Sequence, residues 1–170
     1  SVSGCKDRTE TPASAPNTEV QQELELTRAA LEGGDVRGAI ARAFALSEAH
    51  PDLVEARVLL SSAYVLDGKA IKALLEADKA IEAKPKLVGG WVARCAALQG
   101  QGRIEEAVEA CQKALSIEAN HGAALKNLAQ LYGIQKKWRE QGETLERLKS
   151  VDPDSSSVRI AVASNRAARG

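Results

Sequence analysis

Cys95 and Cys111 stand seven residues before and nine residues after Gly102, a spacing that lets two thiols face each other across a turn. A disulfide there would need an oxidising compartment and Cα atoms within about 7 Å. The expectation from cysteine's preference for burial is simpler: both thiols are reduced and fill small core places. His50 precedes Pro51 at an expected helix end, and His121 lies about two repeat lengths further on. That separation disfavours a shared metal or a catalytic dyad. The carboxylates fall in no acid/base or metal signature, and G-x-x-x-x-G-K-[ST], G-x-S-x-G and H-E-x-x-H are all missing from the sequence. No catalytic residue, no metal ligand and no cofactor is expected, nor a small-molecule substrate.

The elements that would carry such residues are set by a period of 34. Pro51 and Pro85 are 34 residues apart and Pro153 lies 68 beyond Pro85, with Ala119 at the intermediate place. Gly34, Gly68 and Gly102 recur in the same frame, followed by Lys136, each between two apolar-periodic segments. These are hairpin turns between helices. Ala39, Ala73 and Ala107 share a column with Gln141, and small residues there mark helix crossings. Leu26, Leu60 and Leu128 share one with Arg94, and Tyr64 and Tyr132 share one with Leu98 and Ala30. Trp91 and Trp138 occupy large-residue places and are expected to pack in the core. One hairpin cannot bury its own apolar face, so neighbours must stack into a continuous core.

The pattern resembles the tetratricopeptide repeat, with its W-x2-L-G-x2-Y, A-x3-F and terminal Pro. Leu60, Ser61, Tyr64, Gly68, Ala73, Ala80 and Pro85 carry the resemblance in one copy, and Trp91, Gly102, Ala107 and Ala114 in the next. The flanking copies depart from it. Ala30 replaces the large aromatic in the first, and Lys136 and Gln141 replace Gly and Ala in the fourth, which leaves the local geometry there open. The resemblance implies an all-α fold: a right-handed superhelical stack of about four hairpins, at residues 20–51, 54–85, 88–119 and 122–153. Residues 154–170 would form a capping helix, started by Ser155 to Ser157, with Val158, Ile160, Ala161 and Val162 covering the last hairpin. Residues 1–18, rich in Ser, Thr, Pro and charge, read as a disordered tether.

Val2-Ser3-Gly4-Cys5 resembles the lipobox of bacterial lipoproteins, in which the cysteine becomes the acylated first residue. No initiator Met is present, as though an upstream segment had been removed. The resemblance implies a lipid anchor on Cys5, with residues 6–18 as a linker of about 20 Å root-mean-square reach. Lysine and arginine equal aspartate and glutamate at 23 each, so no strong overall field draws the chain to nucleic acid or to an anionic membrane. No run of 18 or more apolar residues reads as a spanning helix.

In the resembled family the first helix of each hairpin lines a concave surface that takes a protein or peptide. Carried over by helix phase, the lining is Leu24 and Arg28, then Glu55, Val58, Ser62 and Val65, then Val92, Ala96 and Gln99, then Lys126, Asn127 and Gln130. It would suit an amphipathic helix or an extended apolar segment, with charges at the rim setting register. The Lys/Asn/Arg clamp of cytosolic co-chaperones is missing, since Gln21, Leu24, Arg28, Glu55, Val58 and Ser62 hold the corresponding faces. The function implied is a non-catalytic scaffold at the periplasmic face of the envelope, as an outer-membrane lipoprotein serving pilus, secretion or cell-wall machinery. The alternatives are a soluble cytoplasmic adaptor and a docking fragment of a larger enzyme.

Overall fold

The computed structural model describes residues 18–170, and among them finds nine helices and no strand. They pair in sequence as hairpins: α1 (Thr18–Glu32) with α2 (Val36–Ala49), α3 (Val54–Leu66) with α4 (Ala70–Ala83), α5 (Val88–Gly100) with α6 (Ile104–Ile117), and α7 (Gly122–Ile134) with α8 (Trp138–Val151). A ninth helix, α9 (Ser156–Arg169), follows alone. Helix α1 is described from Thr18, and residues 1–17 of the expected tether lie outside the described residues.

Alanine and leucine favour helix throughout, and each helix stops where a turn residue leaves right-handed geometry. Gly34, Gly68 and Gly102 take φ of 80°, 71° and 73°, in the left-handed region that costs glycine little. The amide after each then reaches back five residues, as Asp35 N to Ala30 O, Lys69 N to Tyr64 O and Arg103 N to Leu98 O, at 2.8 to 3.0 Å. Lys136 keeps this geometry with φ 56°, and Lys137 N donates to Tyr132 O at 2.9 Å. The departure from glycine therefore leaves the turn intact and puts an L side chain in an unfavourable conformation.

Helices cross closely because the crossing residues are small. Ala39, Ala43, Ala73, Ala77, Ala107 and Ala114 are all 0% exposed, and between these crossings Leu60, Leu98, Leu125 and Leu131 fill the core. Each such leucine contributes about 2 kcal/mol by leaving water. Trp91 is half-buried against the central cluster around Cys95 and Leu98, and its indole Nε1 donates to Pro85 O at 2.9 Å. Cys95 and Cys111 lie in that same cluster, and here the expectation of reduced thiols is corrected. They form a disulfide with Cα atoms 5.4 Å apart, fully buried, joining α5 to α6. The small places that the helix phase assigns them are the places where two facing Cβ atoms come near enough to bridge.

Ser155 caps α9 by accepting from Val158 N at 3.5 Å. Val158 and Val162 pack on Leu125, Leu145 and Leu148, with Ala161 beside them. Ile160 does not join them; it is 66% exposed.

Candidate protein-binding groove

The first helices of successive hairpins approach one another, α1 to α3, α3 to α5 and α5 to α7, whereas α2, α4, α6 and α8 never do. The stack therefore curves with the odd-numbered helices inside, and their outward residues form its inner face.

Eleven of the twelve residues expected to line that face keep accessible surface. The correction is Leu24, which is 2% exposed and packs with Leu46 and Ala56. It faces α3 across the first inter-hairpin junction and belongs to the core. Arg28 is exposed and paired with Glu25 one turn back. Glu55 is held by Lys84, Nζ to Oε1 at 3.2 Å. Val58, Ser62 and Val65 on α3 and Val92, Ala96 and Gln99 on α5 are half-buried, forming an apolar centre. A Cβ on Gly89 would lie 3.3 Å from Val58 Cγ1, so α5 sits close under α3 there. On α7, Lys126 and Gln130 are exposed and Asn127 is half-buried.

Three lining residues were missed by the sequence reading. Leu66 and Ile134, 59% and 55% exposed, lie one turn beyond Ser62 and Gln130 on the same faces. Ile160 on α9 holds the column of Val58, Val92 and Lys126, so its exposure continues the lining past the fourth hairpin. The 34-residue frame contained that signal, but the assignment of α9 as a cover directed Ile160 inward.

At this end the wall opens. Helix α9 packs on α8, its backbone standing further from that of α7, and a cleft of about 380 Å³ lies between α7, α8 and α9. Leu145, Leu148, Val158 and Ala161 form its apolar walls, with Lys126, Gln130 and Asp152 at the mouth. Nearby, Gln141 stands where the other hairpins have alanine. Its Nε2 donates to Ala129 O at 3.2 Å, and its Oε1 accepts from Asn165 Nδ2 at 2.8 Å. Asn165 also donates to Trp138 O at 2.8 Å. Room for the longer side chain comes from Gly133, where a Cβ would lie 2.6 Å from Gln141 Nε2.

His121 caps α7, its Nδ1 accepting from Ala124 N at 3.3 Å, and His50 ends α2. No cluster of three potential metal ligands occurs among the described residues. Cys5 lies outside the described residues.

Residues 98–164 match the family model of the tetratricopeptide repeat, and the hairpins that precede that span follow the same frame. The fold is that of a tetratricopeptide repeat stack. Solved structures agree with it along most of its length. The thermophilic tetratricopeptide protein TTC0263 from Thermus thermophilus superposes with a TM-score of 0.80 at 20% identity, over 88% of this chain and 82% of that one. Pseudomonas aeruginosa pilF gives 0.73 at 19% identity, over 86% and 67%. The first tetratricopeptide domain of human RPAP3 gives 0.61 at 18%, over 80% and 97%. At such identities the likeness is one of fold. No curated protein matches the sequence significantly. The tetratricopeptide fold is that of a protein-interaction repeat.

Proposed function

We propose that the protein is a non-catalytic scaffold that binds a protein or peptide in its inner groove and is held at the periplasmic face of the bacterial envelope by a lipid on Cys5. The observation that carries the binding half is the apolar strip of Val58, Val65, Val92 and Ile160, accessible on the inner face and rimmed by Glu55, Arg28 and Lys126. An amphipathic helix laid along it would bury apolar side chains on the valines and place charge at the rim. The envelope half is supported by two features of the sequence and fold. The lipobox-like Val2 to Cys5 supplies an acylation site, and the Cys95–Cys111 disulfide suits an oxidising compartment such as the periplasm. A cytoplasmic adaptor would keep those thiols reduced. The machinery served is a pilus, secretion or cell-wall complex of the outer membrane.

Metabolic labelling with a fatty acid, comparing the native protein with Cys5→Ser, tests the anchor. Label and membrane partition that both vanish in the variant are expected; an unlabelled wild type would overturn the envelope half and leave a soluble adaptor. For the groove, Val58→Asp with Val92→Asp should weaken partner binding at least tenfold, roughly 1.4 kcal/mol, with helical content unchanged. Binding that survives both changes would exclude the groove.

A further inference from the structure

The equal totals of acid and base conceal a division along the stack. Residues 18–83, the first two hairpins, carry 7 Lys or Arg against 12 Asp or Glu, a net of −5. Residues 84–170 carry 14 against 9, a net of +5. The two end helices mark the extremes. Helix α1 holds Glu19, Glu23, Glu25 and Glu32 against Arg28 alone, and α9 holds Arg159, Arg166 and Arg169 with no acid. Each helix touches only its near neighbours, so α1 and α9 are the opposite ends of the stack among the described residues, and the charge forms a dipole along its length.

The end faces also differ in shape and polarity. In α3, α5, α7 and α9 one face packs on the preceding hairpin, through Ala56, Gly90, Ala124 and Val158 in one column and Ala63, Ala97, Leu131 and Asn165 in another. In α1 the same face, Gln22, Leu26 and Ala29, is exposed, with Leu26 41% accessible. It is a narrow apolar strip next to Glu25. On α9 the face that in earlier hairpins seats the second helix carries Arg159, Ala163 and Arg166, in the columns of Leu125, Ala129 and Tyr132. All three are exposed. One end is acidic and apolar, the other basic with a small residue at its centre.

We propose that copies of this protein associate head to tail, the acidic α1 end of one docking on the basic α9 end of the next. Each contact uses a different face on each copy, so the association is heterologous and extends as an open series unless its rotation closes a ring. Arg166 already pairs with Glu146 at 2.8 Å, whereas Arg159 and Arg169, like Glu19 and Glu32, bond no other described side chain. Those four supply the attraction. Over exposed surface it acts within a Debye length of about 8 Å at physiological ionic strength, so the contact is weak, quickly exchanging and salt-sensitive.

Sedimentation of the whole chain at several concentrations, in roughly 20 mM and roughly 500 mM salt, tests this. Average mass should rise with concentration at low salt, and the association constant should fall at least tenfold at high salt. Glu19→Lys with Glu32→Lys makes both ends basic, and Arg159→Glu with Arg169→Glu makes both acidic. Each variant alone should be monomeric, and an equimolar mixture should associate again, with circular dichroism showing both folded. A wild type that stays monomeric at low salt, variants that associate as it does, or a mixture that does not recover would overturn the proposal.

Discussion

In the third hairpin the crossing of α5 and α6 is closed by the covalent bond from Cys95 to Cys111, with Ala107 packed beside it. In the fourth, Ala129 and Leu145 hold the two cysteine places, and Gln141 replaces the alanine. There the closure is polar: Gln141 bonds Ala129 O within the hairpin and Asn165 beyond it. The staple therefore acts inside one repeat, chiefly by restricting the unfolded chain. The amide network instead joins the closing of α7 on α8 to the docking of α9, so the last hairpin and its cap should gain and lose structure together. Gly142 serves the same end. A Cβ there would lie 2.6 Å from Asn165 Oδ1.

Removing the staple should have the largest effect. The bond spans a separation of 16 residues, and a loop of that size corresponds to about 3 kcal/mol. Cys95→Ala with Cys111→Ala should lower unfolding stability by about that amount in denaturant titration. Reductant should bring the wild type towards the variant and leave the variant unchanged. On the other side of the comparison, Asn165→Leu leaves Gln141 Oε1 without its donor and takes one donor from Trp138 O, and should cost about 1–3 kcal/mol. Adding Gln141→Ala should cost less than the two single losses together, by roughly 0.5 kcal/mol or more, because the pair acts as a unit. Amide exchange in α9 should accelerate in Asn165→Leu and stay unchanged in the cysteine variant at native conditions.

Smaller effects separate the two turns. Lys136→Gly should stabilise the fourth hairpin by about 1 kcal/mol by relieving a left-handed lysine, and Gly102→Lys should cost the third a similar amount. The smallest concerns pH. Arg103 holds Glu106 through two bonds of 2.7 and 2.6 Å, and this hydrogen bonding keeps the Glu106 carboxyl below its ordinary value and the Arg103 guanidinium above its own. A carboxylate lowered in the folded state adds stability that is present above about pH 4.5 and lost as pH falls through its lower native value. Lys137 and Glu140 hold the same places in the fourth hairpin, with no bond between them among the described residues. Glu106→Gln should therefore reduce the acid sensitivity of unfolding slightly.

Much of this was legible beforehand because the repeat is redundant: the phase of Gly34, Gly68 and Gly102 with Ala39, Ala73 and Ala107 is enough to place helices, turns and crossings. The features that escaped are those where one copy departs from the others. The disulfide depends on the separation of two particular Cα atoms, which a column of small residues permits without requiring. The Gln141 network needed Gly133, Gly142 and Asn165, from three helices, to be read together. Leu24 was misplaced because helix phase gives a direction but not what lies in that direction, and at the first junction it is α3. Ile160 failed the opposite way, through an assumption that every apolar residue of a terminal helix turns inward.

The claim that the inner face is the binding surface is tested most directly by a photo-crosslinking residue placed at Val92 in cells, with the same residue at Ile71 on the outer helix α4 as control. Ile71 is 79% exposed and so the more accessible of the two. The groove account predicts a discrete adduct from Val92 that Val58→Asp abolishes, and none from Ile71. An adduct from Ile71 alone would contradict it and move the binding surface to the convex side of the stack.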